Sequence, residues 1–189
     1  MKKTLLALVL AALAGLPATA ATVDVVSPSQ VLLGDTFDIN VAVHDLFTAD
    51  PTATLIGFGF NFAYDPTVLQ LVGGTADPTN WFDGPDDLLS NPAQILGLNF
   101  TGFTAGTPEP LALATLTFKA VAYGNTRFTI SSDVNQFTGL VYDSGFVDLN
   151  GSGTVSVVPE PGALGLMGAG LVALAGLARR RRLSVRRAG

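Results

Sequence analysis

Across residues 22–158 apolar and polar positions alternate in short runs, the period-two signature of half-buried strands. Thr36–His44 places Phe37, Ile39, Val41 and Val43 on one face and Asp38, Asn40 and His44 on the other. Residues 55–64 set Ile56, Phe58, Phe60, Phe62 and Tyr64 against Gly57, Gly59, Asn61 and Ala63. A third long run, 111–122, shifts phase between Leu113 and Ala114, which predicts a bulge. Shorter runs cover 23–26, 68–72, 94–100, 127–130, 145–149 and 154–158. Turn-forming pairs lie between them: Gly34-Asp35, Asp65-Pro66, Gly73-Gly74, Gly124-Asn125 and Asn150-Gly151. No part of this region has a helical period. The pattern predicts an all-β domain of about nine strands, packed as two antiparallel sheets.

The longest irregular stretch, 73–93, holds the single tryptophan, Trp81, beside Phe82, together with Asp77, Asp83, Asp86 and Asp87. A long loop with aromatics and acids is a candidate binding surface. The structural alternative, and the favoured one, is that Trp81 and Phe82 fold back to cap the sandwich.

The two ends follow different patterns. Residues 1–20 have the build of a secretory signal peptide: Lys2 and Lys3, an apolar run over 5–16, Pro17, then the small-x-small pattern of Ala18 and Ala20. Signal peptidase is expected to cut after Ala20, or after Ala21. At the other end Pro159, Glu160 and Pro161 precede the uncharged run 162–178. As a helix that run measures about 25 Å, the short limit for crossing a bilayer. Arg179, Arg180, Arg181 and Arg182 follow, then Arg186 and Arg187. Arginine stays cytoplasmic, so this order predicts a body outside the inner membrane, a transmembrane helix over 162–178 and an arginine stop at 179–187. The domain boundaries are then 1–20, 21–158 and 159–189. Two closely spaced prolines favour extended backbone that a processing enzyme can bind.

Charge sharpens the division. Residues 22–158 contain only Lys119 and Arg127 against fourteen of the fifteen acids, a net charge of −12, whereas the whole chain is at −5. A body so acidic repels phosphate backbones, which excludes nucleic acid as a partner. The absence of cysteine means that an exported core must hold without disulfides.

Catalytic chemistry is sparse. His44 is the only histidine, and it lies on the solvent side of a predicted strand with no nucleophile elbow in the chain. Zinc lacks histidine and cysteine ligands. Most carboxylates are turn aspartates, which cap backbone groups; a carboxylate pair for glycoside hydrolysis is the one enzymatic alternative. Calcium is the one cofactor weighed, with Asp143, Asp148 and Asn150 as its oxygen ligands, although the later glutamate of a full calcium loop is missing.

Two resemblances add to this reading. Val158-Pro159-Glu160-Pro161, the short Gly/Ala/Leu helix and the arginine cluster resemble the PEP-CTERM sorting signal of Gram-negative bacteria. That resemblance implies recognition by exosortase, with tail processing near Pro159, Glu160 and Pro161. It also implies transient residence in the inner membrane, then the cell surface or extracellular matrix of a biofilm-forming cell. VLLGDTFDINVAV, IGFGFNFAYDPTVLQLV and LALATLTFKAVAYGNTRFTI resemble, in order and spacing, the cohesin-like domain over roughly 22–158. This implies a nine-stranded jelly-roll sandwich related in fold to carbohydrate-binding modules. Cohesins proper bind dockerins, but no dockerin-contact residue maps onto this chain, so that activity is not carried over. The expected function is a non-catalytic exported envelope or matrix protein that contacts a protein or exopolysaccharide. The alternative is a secreted carbohydrate-active enzyme with an unrecognised carboxylate site.

Overall fold

The computed structural model describes residues 21–84, 86–136, 138–160, 162 and 165–174. Among these described residues twelve strands are present: β1 Thr22–Val26, β2 Gln30–Leu32, β3 Thr36–His44, β4 Leu55–Ala63, β5 Leu69–Ala76, β6 Phe82–Asp83, β7 Ala93–Phe103, β8 Leu111–Ala120, β9 Gly124–Ser131, β10 Gly139–Tyr142, β11 Gly145–Val147 and β12 Asn150–Val158. They form a four-stranded sheet, β1-β3-β8-β5, and an eight-stranded sheet built along β11-β10-β4-β9-β12-β2, with β7 beside β4 and β6 beside β7. The three strands beyond the expected nine, β2, β6 and β10, are two to four residues long. Runs that short carry too few alternations to be read from sequence.

The inner faces meet in an aromatic and aliphatic core. Phe58, Phe60 and Phe62 of β4 are buried, as their alternation predicts, and so are Ile39, Val41 and Val43 of β3. Phe62 lies at the centre, 5.5 Å from Phe118 of β8 and 5.4 Å from Phe128 of β9 by ring centroids. Contacts across the sheets therefore join strands far apart in sequence. The predicted bulge in β8 is present. Val41 pairs with Ala114 and Ala42 with Ala112, which leaves Leu113 as the extra residue and lets Leu113 and Ala114 both face inward. A second irregularity, in the β4–β7 ladder between Leu55 and Gly57, breaks the β4 alternation at its start: Leu55 is buried, while Ile56, expected on the phenylalanine face, is partly exposed.

Two expectations from glycine are corrected. Gly73-Gly74 and Asn150-Gly151 are not turns. The first pair lies inside β5, and the second opens β12, paired to Ser131 and Ile130 of β9. The reason is packing: a Cβ on Gly74 would meet Ile95 and Leu88 at 3.2 Å, and one on Gly151 would meet Val23 at 3.0 Å. The eight-stranded sheet is also mixed, because β2 pairs with β12 in parallel.

β12 ends at Val158, and residues 165–174 are helical with exposed side chains. Among the described residues no helix is long and apolar enough to cross a membrane. The expected span 162–178 runs partly outside the described residues, and the signal peptide 1–20 lies wholly outside them.

Candidate functional site

The connection from β5 to β7 builds one edge of the eight-stranded sheet. Trp81 folds inward: it is 4% exposed, its Nε1–H donates to the Ala112 carbonyl at 2.8 Å, and its ring stands edge-on to Phe58 (4.9 Å) and Phe103 (5.0 Å). Phe82 does the opposite of the capping expectation. It points outward, 64% exposed, 5.3 Å from the ring of Phe100, which is 80% exposed. Strand alternation separates the neighbours Trp81 and Phe82 onto opposite faces.

Register extends this aromatic pair into a ribbon. Directly paired residues share a sheet face. Phe82 pairs with Leu98, Leu98 with Gly57, Gly57 with Val141, and Val141 with Phe146. The outer face of β6, β7, β4, β10 and β11 thus carries one apolar row, about 19 Å long at the usual strand spacing. Gly57 sits in its middle. A Cβ there would meet Leu98 Cδ2 at 3.1 Å and Val141 Cβ at 3.7 Å, so the missing side chain lets those two close over the strand. Beside Phe82 a cleft of about 170 Å³ is lined by Pro78, Thr79, Asn80 and Trp81 on one side and Asn99 and Thr101 on the other.

The acids of the β5–β7 connection shape this edge by accepting backbone hydrogen bonds. Asp77 Oδ1 takes the N–H of Thr79 (3.0 Å) and of Asn80 (3.2 Å). Asp83 Oδ1 takes Ala76 N–H at 2.9 Å, and Asp86 Oδ1 takes Leu96 N–H at 2.8 Å. Asp87 caps the turn to Ser90 through its hydroxyl and amide. Those bonds hold the Asp87 carboxyl below the usual range, led by the Ser90 hydroxyl. Asp86 moves the other way: partial burial pushes its carboxyl up, opposed by the Leu96 hydrogen bond and aided by the charge of Asp83.

His44 lies at the β1–β3 edge. Its Nδ1 is 2.9 Å from Asp45 Oδ2, and its Nε2 is 3.6 Å from Asp24 Oδ1. A nucleophile would have to stand at the second nitrogen, where a carboxylate stands instead. The nearby Thr22 hydroxyl donates to Asp45 Oδ2 at 3.2 Å.

The three calcium candidates are not brought together at one point. Asp143 occupies the β10–β11 turn, where Oδ1 accepts Thr54 N–H at 3.0 Å. Asp148 lies at the open end of that hairpin, about 13 Å along the strands, with Oδ1 accepting the Ser132 hydroxyl at 3.2 Å. Asn150 opens β12 opposite Ser131. Among the described residues no group of three or more histidine, cysteine, aspartate or glutamate side chains is placed to hold a metal.

Pro159 and Glu160 are exposed immediately beyond β12. Pro161, the arginines Arg179, Arg180, Arg181 and Arg182, and the cleavage residues Ala18 and Ala20 lie outside the described residues.

Residues 157–182 match the PEP-CTERM protein-sorting motif, so the tail carries that sorting signal. The body is similar in fold to a cohesin module from a family 33 glycoside hydrolase of Clostridium perfringens, with 13% identity and a TM-score of 0.60 over 75% of this chain and 99% of that one. It also aligns with a type I cohesin of Pseudobacteroides cellulosolvens at 15% identity and TM-score 0.48, over 75% and 94% of the two chains. The sixth cohesin of scaffoldin B from Acetivibrio cellulolyticus, solved in complex with a dockerin, aligns at 17% identity and TM-score 0.47, over 74% and 98%. No curated protein matches the chain.

Proposed function

We propose that this is an exported, non-catalytic envelope or matrix protein whose sandwich binds a protein partner along the ribbon from Phe82 to Phe146. The observation that carries this reading is exposed Phe82, packed against exposed Phe100 and in register with Leu98, Gly57 and Val141 on an outer sheet face. A contiguous apolar patch of aromatic residues is costly to leave in water and is typical of an interface centre. The partner's rim is basic. Four aspartates stand in the adjoining connection, and the body's net charge of −12 disfavours a second copy of itself and any polyanion.

The tail supports the export part. In this reading signal peptidase removes residues 1–20, residues 162–178 hold the chain briefly in the inner membrane, and an exosortase-type enzyme then processes the tail. The ribbon is well placed for a partner on the far side. Registers through β4, β9 and β12 separate Leu98 from Val157 by about eleven residues along the strands, roughly 35 Å. The ribbon thus lies toward the end of the sheet opposite to where β12 leaves the body. A second reading, an exopolysaccharide in place of a protein, is favoured by the amide- and hydroxyl-lined cleft beside Phe82.

The test is retention at the cell surface. In a Gram-negative host with a working exosortase, Phe82→Ser with Phe100→Ser should leave export, processing and Tm unchanged but release the protein into the medium. Retention equal to the parent's would reject the ribbon as the binding face. Loss of retention on digestion of surface polysaccharide, with surface proteins intact, would select the second reading.

A further inference from the structure

β12 carries the chain into the sorting tail, and it is held from both sides. Its antiparallel ladder with β9 runs to Val157↔Gly124, and its parallel ladder with β2 runs to Val158↔Leu32. Ser156 N–H donates to the Ser29 carbonyl at 3.1 Å, and Val155 and Val157 are buried in the core.

β2 is itself tied down. Its neighbours in sequence, β1 and β3, both belong to the other sheet, so the chain crosses to the eight-stranded sheet only for Gln30–Leu32. On the return, Gly34 N–H donates to the Ala120 carbonyl and Ala120 N–H to the Asp35 carbonyl, both at 2.9 Å. Asp35 closes the turn, its Oδ2 accepting Leu32 N–H at 3.1 Å. β2 is therefore a strap, anchored to the four-stranded sheet on either side and laid along the last residues of β12. Immediately beyond it Pro159 and Glu160 are exposed, beside a groove of about 310 Å³ lined by Gln30, Val31, Leu32, Asp35, Val158 and Pro159.

We infer that this strap sets the upstream limit of tail processing: the enzyme gains the chain from Pro159 onward, and the scissile bond lies on the C-terminal side of Glu160. The inference rests on the reading of the tail as an exosortase-type substrate. An enzyme that cuts a peptide bond binds extended backbone through the strand's own N–H and C=O groups. At Ser156 and Val157 those groups are already paired on both edges. A cut at Val158–Pro159 would require β12 to leave β2 and Val157 to leave the core; a cut beyond Glu160 requires neither. In that step the peptide C–N bond breaks. Water supplies the hydroxyl of the body's new carboxyl group, and the proton goes to the nitrogen of the released tail. The sorting motif begins at residue 157, so its first two residues serve as sheet and only the remainder as substrate.

The test locks the strap. Gln30 and Ser156 are register partners in a chain without cysteine, so Gln30→Cys with Ser156→Cys can join only to each other within one molecule. The full-length double variant, its bond confirmed by thiol labelling, is expressed in an exosortase host beside the parent and both single variants. The expected result is a mature C-terminus at Glu160 or beyond in all four, with the locked variant processed within twofold of the parent's rate. A parent C-terminus upstream of Glu160, or a locked variant left unprocessed while both single variants are processed, overturns the inference. A parent chain intact through Gly189 overturns instead the reading of the tail on which the inference rests.

Discussion

Glu109, two residues before β8, grips the backbone of Asp45 at the end of the neighbouring strand β3: Oε2 accepts Asp45 N–H at 2.7 Å, while Oε1 accepts the next amide, Leu46 N–H, at 3.0 Å. Asp45 has a positive φ of 61°, so the chain leaving β3 turns two successive amides the same way, and one carboxylate satisfies both. The Leu46 carbonyl accepts the Tyr142 hydroxyl at 2.8 Å, which ties this turn to the other sheet. Burial, with the charge of Glu109 adding to it, pushes the Tyr142 hydroxyl up to about 12. Glu109→Ala should cost about 1–2 kcal/mol, since hydrogen bonds to a charged acceptor are lost at a partly exposed site. Glu109→Gln should cost less, because one acceptor remains. Denaturant unfolding monitored by circular dichroism measures both.

Phe60→Asp should abolish folding. Phe60 is fully buried, stacked 5.8 Å from Phe58, and an unpaired charge there costs several kcal/mol, comparable to total stability. The same substitution at Phe100 should leave Tm within a few degrees, because that ring already faces water. A β-type circular dichroism spectrum for Phe100→Asp and its loss for Phe60→Asp is the expected contrast.

Trp81 is the sole tryptophan and is buried, so its emission should be blue-shifted in the native body and move red on unfolding. Trp81→Phe removes the donor to the Ala112 carbonyl and part of the edge-on contact with Phe58. It should cost about 1–3 kcal/mol, from one lost hydrogen bond and a small cavity. Thermal melts of the variant against the parent give the difference.

Asp86 has a folded pKa raised above its ordinary value, by burial first. Such a group favours the native state below its unfolded pKa and loses that contribution as pH rises through the folded value. Asp86→Asn keeps an oxygen for Leu96 N–H and never ionises. The variant should match the parent well below the carboxylate range and become the more stable of the two as pH rises through that range. A Tm difference that stays flat across that interval would contradict the assignment.

Much of the body was legible from residue order alone, because alternation is a local consequence of backbone geometry. Phe58, Phe60 and Phe62 had to share a face, and the phase slip at Leu113 had to be absorbed by a bulge. Aspartates in turns likewise cap their own neighbours, as Asp65 does for Thr67 (2.9 Å). The tail was legible for another reason: its prolines, apolar run and arginines act as a linear address. Glycine misled where its purpose was not local. In sequence Gly74 and Gly151 look like turn residues, but they sit within strands because Ile95 and Val23 from other strands, with Leu88 from the β6–β7 connection, fill the space a side chain would need. The ribbon was hidden for the same reason. Alternation assigns Phe82 and Leu98 each to a face of its own strand. It does not say which strand lies beside which, or in what register. The pairing of β6, β7, β4, β10 and β11, with the irregularities that shift it, brings residues 82, 98, 57, 141 and 146 into one row. The strap depends on a non-local pairing too, since a three-residue β2 has no stability of its own and exists only because β12 and both returns to the other sheet hold it. Local backbone chemistry determined the strands and the address. Long-range register, set by packing and loop closure, decided which surfaces meet water and where the folded body ends.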